Sequence, residues 1–371
     1  MSNKFCRALS NGYKIDVATD DLLWSPCCFY SKKTKLLDRD AFKKEIAYTS
    51  AANNWLPECR HCKYLESADV DRLKPRLTSF TRVPEDVEDG VCVDLELSFD
   101  TNCNAACLTC SGGCSTAWQK YNHKHKLFDY GPITNRAPAL LKQLIDTVPM
   151  DQLRTLFILG GEPFYSDTHI QLLTHILKVH PDPKKIDLRY QTNGSLFPDE
   201  EVRKLWDNFK RVDIGLSLDG VGERFNYLRW PLTWSRVEDT VLKFLTETDV
   251  SFTINHTTNP LNLWYFQETV DWANATIPKT RFGWSTQDEL VRLNPINYPF
   301  GLNLVTPTLR ESCLEKYGED HTVNKVLKRL RYLNNDAEIS KMFEYIDLHD
   351  GLRKLNWRET FSDIVKYYPN V

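Results

Sequence analysis

The chain has 371 residues, of which 42% are hydrophobic and 26% charged, with a formal net charge of -3. That length suits one large domain with an appendage, or two domains, and the charge balance argues against a strongly basic nucleic-acid binder. The segment from Met1 to Cys6 lacks the apolar core of a secretory signal and no apolar run approaches a membrane span, so a cytoplasmic protein is expected.

Residues 1–85 are polar, rich in loop-forming sequence, and hold Cys6, Cys27, Cys28, Cys59 and Cys62. The whole chain has 11 cysteines. The number is odd and several lie two or three residues apart, which favours ligation in a reducing compartment over disulfides. Such a region cannot bury enough apolar surface alone, and a metal site would supply the missing constraint. The acidic stretch Thr81 to Gly90, with Pro84, reads as a linker.

Residues 91–290 alternate strands and helices. The predicted strands are Val91–Phe99, Thr155–Leu159, Lys185–Gln191, Arg211–Leu218, Val250–Asn255 and Thr280–Ser285. Between the first two, Leu140, Leu144 and Val148 share one helical face. Ser166 or Asp167 caps a helix carrying Ile170, Leu173 and Leu177. Such alternation predicts right-handed βαβ units, a parallel sheet and an α/β fold built as a partial six-unit barrel. The first, third, fourth and fifth strands alternate apolar and polar residues, so the apolar face should meet the helices and the polar face should line a wet lumen. Half-exposed antiparallel strands would alternate the same way. Residues 291–371 read as a helical tail with apolar stripes at Val323, Val326, Leu327 and Leu330, and at Tyr345, Leu348, Leu352 and Leu355. No internal repeat is visible.

The first strand runs into Cys103, Cys107 and Cys110. Three thiolates are one short of closing a cubane iron–sulfur cluster, which leaves one iron open to an outside ligand; a zinc site is the competing reading. Gly160-Gly161-Glu162-Pro163 ends the second strand, Gln191-Thr192-Asn193-Gly194 the third, Ser217-Leu218-Asp219-Gly220 the fourth and Asn255 the fifth. Glycines let backbone approach a ligand and a carboxylate pairs with an ammonium. Parallel-sheet enzymes place ligands at these strand ends.

The Cys-x3-Cys-x2-Cys spacing, with these strand-end motifs, resembles the radical S-adenosylmethionine (SAM) superfamily. The resemblance implies a [4Fe-4S] cluster on Cys103, Cys107 and Cys110, whose open iron chelates the amino and carboxylate groups of SAM. It further implies reductive cleavage of SAM to a 5′-deoxyadenosyl radical that abstracts hydrogen from a substrate, with an electron donor such as flavodoxin or ferredoxin. Gly160, Gly161, Glu162 and Pro163 match the motif that holds the methionine amino group. Gln191, Asn193, Ser217 and Asp219 match positions that bind the ribose and carboxylate, and Asn255 is a further candidate. Thr109 stands where the family usually has an aromatic residue.

The N-terminal cysteines resemble a Twitch-type auxiliary domain, the shorter relative of SPASM. Cys6, Cys27, Cys59 and Cys62 would then hold a second [4Fe-4S] cluster, with Cys28 as substitute for Cys27, or else a structural zinc. Here the domain would precede the barrel rather than follow it, and Leu22 stands where its glycine is expected. His61 is a further possible ligand.

Cys114 is a candidate hydrogen-atom donor, against an idle residue on the next helix. Arg224 and Arg229 are candidates to grip a substrate carboxylate or phosphate, against surface arginines. The first substrate expectation is a peptide or protein, and the alternative a sugar, nucleotide or nucleobase. A non-enzymatic zinc protein is a further rival, and it would leave the motifs at Gly160–Pro163 and Gln191–Gly194 without a task. The basic stretch Lys325 to Arg331 reads as a solvated helix face rather than a nucleic-acid contact.

Overall fold

The computed structural model describes residues 6–18, 21–28, 30–50, 55–60, 62–63, 83–84, 87–88, 90–98, 100–128, 137–283, 290–295, 299–328, 336–369 and 371. Among them, strands β1 (Gly12–Ala18), β2 (Asp21–Ser25), β3 (Thr34–Lys35), β4 (Asp94–Ser98), β5 (Thr155–Leu159), β6 (Asp187–Thr192), β7 (Arg211–Ser217), β8 (Ser251–Thr258) and β9 (Val291–Pro295) form one sheet. Its order is β3-β2-β1-β4-β5-β6-β7-β8-β9, an open arrangement. From β1 through β9 the neighbours are parallel, and β2 and β3 add antiparallel at one end. The fold is α/β, and the intervening helices exclude the antiparallel reading of the alternation.

The outward strand residues Leu95, Leu97, Leu156, Ile158, Leu188, Tyr190, Ile214 and Leu216 are buried, as are Leu141, Leu144, Leu172, Ile176, Val237, Val241 and Phe244 of the helices. All belong to one hydrophobic cluster, as expected where helices cover one face of a parallel sheet.

The inner face is not wet along its length. Near the strand starts, Arg189 lies 3.6 Å from Asp213 and its guanidinium stacks 4.8 Å from the Phe157 ring. Ser251 and Thr253 donate to the Asp213 carboxylate at 3.0 and 3.2 Å. Buried charge is tolerated here because it is paired and hydrogen-bonded. Gly283 crosses below, donating to the Phe252 carbonyl at 2.6 Å, and a Cβ on it would overlap the Asp213 carboxylate. Toward the carboxyl ends, Ser98, Gln191, Ser217 and Asn255 are half-buried polar groups of the inner face.

Two regions differ from the sequence reading. Lys279–Arg281 is a 3-10 turn and Phe282 makes an isolated parallel bridge to Phe252, so no strand forms there up to Gly283. Ser285 lies outside the described residues, as does Phe99. The place beside β8 is taken by β9, from the expected helical tail. Arg281 explains the turn: its guanidinium donates to the carbonyls of Val250 and Thr248 at 2.7 and 2.5 Å, tying the segment under the barrel instead of along it. Strands β1–β3 were not expected. They extend the sheet with Tyr13, Ile15, Leu22 and Trp24, all buried in the same cluster as the barrel core.

Trp24 is fully buried, with Tyr13 and Phe42 edge-on at 6.1 and 5.9 Å. Trp24→Ala is expected to cost about 3–5 kcal/mol, read as a lower urea midpoint of the barrel's own unfolding. An unchanged midpoint would mean that β1–β3 fold apart from the barrel.

Candidate functional site

The loop after β4 is pinned from two sides. Asp100 accepts from the Asn102 amide at 2.7 Å, closing a tight turn. Ser115 caps the helix Thr116–His125 and donates to the Ala105 carbonyl at 2.6 Å, while Thr116 Oγ1 accepts from the Cys103 amide at 3.1 Å. The indole of Trp118 donates to the Cys107 carbonyl at 2.8 Å. On the other side, the amides of Ala106 and Leu108 donate to the carbonyls of Trp230 and Leu228, both at 2.8 Å.

This fixed backbone presents three thiols. Cys107 is buried, and Cys103 and Cys110 are half-buried. Burial pushes the Cys103 thiol up to about 12, with Cys107 adding to the effect. Cys110 is raised by its hydrogen bond with Cys114, by burial and by Cys107. Burial also raises Cys107, though Arg229 pulls the other way. Cys107 is thus an electrostatic neighbour of both other thiols. Among the described residues no three His, Cys, Asp or Glu side chains are already arranged as a metal cage. The donor set nonetheless fits a cluster: soft, crowded, partly desolvated thiols deprotonate when a metal centre compensates their charge.

The Gly160–Pro163 turn packs on this loop. Gly160 and Gly161 have φ of +94° and +56°, and a Cβ on Gly161 would overlap the Asn102 carbonyl. The Glu162 amide donates to that carbonyl at 2.8 Å, and the Asn102 side chain donates to the Tyr165 carbonyl at 3.0 Å. Pro163 is buried and opens a 3-10 turn.

Glu162 is fully buried. Its carboxylate accepts from Thr192 Oγ1 at 2.6 Å, the Asn193 amide at 2.7 Å and the Phe164 amide at 3.3 Å. Burial pushes its pKa up to about 7, against the lowering effect of these donors. The carboxylate is therefore spent on stitching β5 to β6, and the neighbouring backbone carries the exposed part of the motif.

Asn193 extends the stitch. Its Nδ2 donates to Asn104 Oδ1 at 2.8 Å, and Asn104 Nδ2 donates to Ser195 Oγ at 2.9 Å. Asn104 and Ser195 were not singled out from sequence, and Thr192 only as part of the Gln191–Gly194 motif. Asn104 lies inside the cysteine spacing, and that was the available signal.

Farther round the sheet, Gln191 Nε2 donates to Ser217 Oγ at 2.6 Å, Asn255 Nδ2 donates to Gln191 Oε1 at 2.5 Å, and Asn294 Nδ2 donates to Asn255 Oδ1 at 3.1 Å. Gly215 makes room for this ladder, since a Cβ there would stand 2.6 Å from Gln191 Oε1. Asp219 is different. It is buried, and its carboxylate takes Arg229 at 2.7 and 2.8 Å and the Thr257 amide at 2.9 Å.

The expectation that Arg224 and Arg229 reach a substrate is corrected. Arg229 is committed to Asp219, and Arg224 pairs with Glu268 at 2.8 Å and stacks 3.8 Å from the Tyr265 ring. Cys114 is exposed beside Cys110, and hydrogen bonds with Cys110 and Ser111 lower its thiol to about 6. Lys325 and Lys328 pair on the surface with Asp320 and Glu319; Arg329 and Arg331 lie outside the described residues.

In the N-terminal segment, Cys59 is buried and its thiol is pushed up to about 12 by burial, with Cys6 and Cys62 adding to it. The Ser31 amide donates to the Glu58 carbonyl at 3.3 Å, which brings the loop after Cys27 and Cys28 against the Cys59 turn. Cys27 is half-buried and Cys28 exposed. His61 lies outside the described residues.

Residues 97–273 match the Radical SAM superfamily profile. No curated protein matches the chain. Among solved structures the chain is similar to native anSMEcpe with bound AdoMet, at 17% identity over 60% of this chain and 59% of that one, with a TM-score of 0.39. It is also similar to Streptococcus suis SuiB bound to precursor peptide SuiA, at 15% identity over 86% of this chain and 61% of that one, with a TM-score of 0.37. In both, the match spans less than two thirds of the other protein's length. Among the described residues no helix is long and apolar enough to cross a membrane.

A carboxyl group whose folded pKa is raised from 4.5 to about 7 stabilises the fold while protonated. That contribution is present below about 4.5 and is lost as pH rises toward and past 7. Urea unfolding of wild type and Glu162→Gln between pH 5 and 8 should therefore show wild type alone losing stability through this window. Parallel pH profiles would mean that Glu162 ionises freely in the folded protein.

Proposed function

We propose that this chain, whose residues 97–273 form a radical SAM domain, is an enzyme that cleaves SAM reductively and abstracts hydrogen from a substrate. The observation that carries the reading is the position of Cys103, Cys107 and Cys110 on a doubly pinned loop packed on the Gly160–Pro163 turn, with the Gln191–Asn255 ladder farther round the same strand ends. When bound to those three cysteines, a [4Fe-4S] cluster supplies the electron that splits SAM into methionine and a 5′-deoxyadenosyl radical.

The protein's own tasks follow from its residues. The Gly160–Glu162 backbone stands next to the cysteine loop and offers carbonyls to an ammonium group. Gln191, Ser217 and Asn255 are half-buried at the strand ends and offer amide and hydroxyl groups to a carboxylate or a ribose. The dry, charged base formed by Arg189 and Asp213 closes the barrel below, so a ligand sits at the mouth and water is excluded from underneath.

The N-terminal cysteines would hold a second cluster through Cys6, Cys27, Cys59 and Cys62. The crowding of Cys6 and Cys62 around buried Cys59 supports this reading. On the Twitch-like layout of those cysteines, a peptide is the substrate class to test first, with flavodoxin or ferredoxin as electron donor.

Anaerobic reconstitution should give about eight irons per chain, and about four in the Cys103→Ala/Cys107→Ala/Cys110→Ala variant. Wild type with a strong reductant should form 5′-deoxyadenosine, and the triple variant should not. Wild type holding zinc and about four irons would assign zinc to the N-terminal set. Wild type without iron would overturn the reading. Gln191→Ala and Asn255→Ala should each raise the dissociation constant for SAM about ten- to hundredfold, since a hydrogen bond to a charged group contributes about 1.5–3 kcal/mol. Unchanged binding in both would remove the ladder from the SAM site.

A further inference from the structure

The segment from Leu228 to Trp230 runs alongside the cysteine loop. Its carbonyls at Leu228 and Trp230 accept from Leu108 and Ala106, which flank Cys107. Arg229, between those two carbonyls, therefore stands opposite Cys107. Its Nη1 lies 3.8 Å from Cys107 Sγ, a normal reach for an N–H to sulfur contact. The guanidinium is held in that position from behind: Nε and Nη2 meet the two Asp219 oxygens at 2.7 and 2.8 Å. Asp219 is itself fixed by the Thr257 amide, and its backbone carbonyl accepts from Asn262 Nδ2 at 2.9 Å. Asp219 has no solvent to relax into and Arg229 little, with side-chain exposures of 1% and 12%.

We propose that Arg229 is a positioning residue that, through its contact with the Cys107 sulfur, sets the reduction potential of the metal centre on that cysteine. The inference rests on the cluster reading above. An arginine stays charged at any working pH. Reduction adds one negative charge to a cluster, and a hydrogen bond and a fixed cation at a ligand sulfur stabilise the reduced form, raising the potential. The guanidinium turns Nη1 toward sulfur and Nε and Nη2 toward its counter-ion, so the Asp219 charge offsets the effect only in part. Arg353 is a second cation felt by Cys107, stacked 4.9 Å from the Trp118 ring and 5.1 Å from that of Trp230. It remains in place in every variant below.

The test is a dye-mediated redox titration followed by the EPR signal of the reduced protein, alongside iron content and circular dichroism, on anaerobically reconstituted full-length chain. To isolate the centre on Cys107, the N-terminal set is removed in all samples by Cys59→Ser/Cys62→Ser. In Arg229→Gln the ratio of reduced to oxidised centre at a fixed potential should fall at least tenfold, about 59 mV for one electron. Arg229→Lys, which keeps the charge, should recover most of the shift. Arg229→Gln can destabilise the fold by leaving Asp219 buried and unpaired. The double variant Arg229→Gln/Asp219→Asn has no such unpaired charge, and should show a smaller drop in the same direction. Full iron with an unchanged potential in Arg229→Gln or the double variant would overturn the proposal. So would loss of iron from all three variants while the parent loads and all remain folded, because Arg229 would then be needed to build the site rather than to tune it. A parent without iron whose wild-type counterpart, reconstituted alongside, also holds none would instead refute the cluster reading itself.

Discussion

The site depends on one buried carboxylate. Glu162 lies where the turn after β5 meets the end of β6 and the cysteine loop after β4. Its amide holds the Asn102 carbonyl, and its two oxygens take the donors of Thr192, Asn193 and Phe164. Leaving a carboxyl group in such a place without partners would cost several kcal/mol. Three donors directed at it turn that cost into a constraint between the turn after β5 and the end of β6, and the Glu162 amide carries that constraint on to the cysteine loop at Asn102. Cys103 and Asn104 follow from that constraint, and Asn104 then returns to Asn193 and Ser195.

The ends of the chain brace the same loop from outside. Along the helix Asp336–Arg353, His349 Nδ1 lies 3.0 Å from the Tyr121 hydroxyl, and Arg353 stacks against the rings of Trp118, Tyr121 and Trp230. Asp350 accepts from the Tyr227 hydroxyl and the Trp357 amide, both at 2.6 Å. At the other end, Lys14 on β1 pairs with Glu96 on β4 at 2.7 Å, and Asp16 with Lys33 at 2.7 Å. Residues distant in sequence thus converge on the helix and strand that flank the three cysteines.

Strands β4 and β6–β8 were legible because each carries an alternating apolar face, β5 because it is a short continuous apolar run before a glycine pair, and the helices between them show the longer period. The cysteine spacing and the glycine turns were legible because they are local. Strands β1–β3 were not: Tyr13-Lys14-Ile15-Asp16-Val17 alternates as β4 does, but it stands among scattered cysteines that drew the reading toward loops. The strand expected near Thr280 failed because Arg281 finds backbone acceptors below the barrel, which no local pattern encodes. Sequence placed Glu162, Asp219 and Arg229 near the site but could not tell a ligand-facing charge from one spent on a protein partner. That distinction depends on burial and on partners tens of residues away, as with Thr192 for Glu162 and Thr257 for Asp219.

The central claim is that the open position of a three-cysteine centre faces the strand-end polar groups, so that SAM binds to both at once. EPR of the reduced, anaerobically reconstituted protein before and after adding SAM tests this most directly. The account predicts a change in the g-values of the reduced centre, and its loss when Cys107 is replaced. An unaltered spectrum from folded, fully loaded protein at saturating SAM would contradict it.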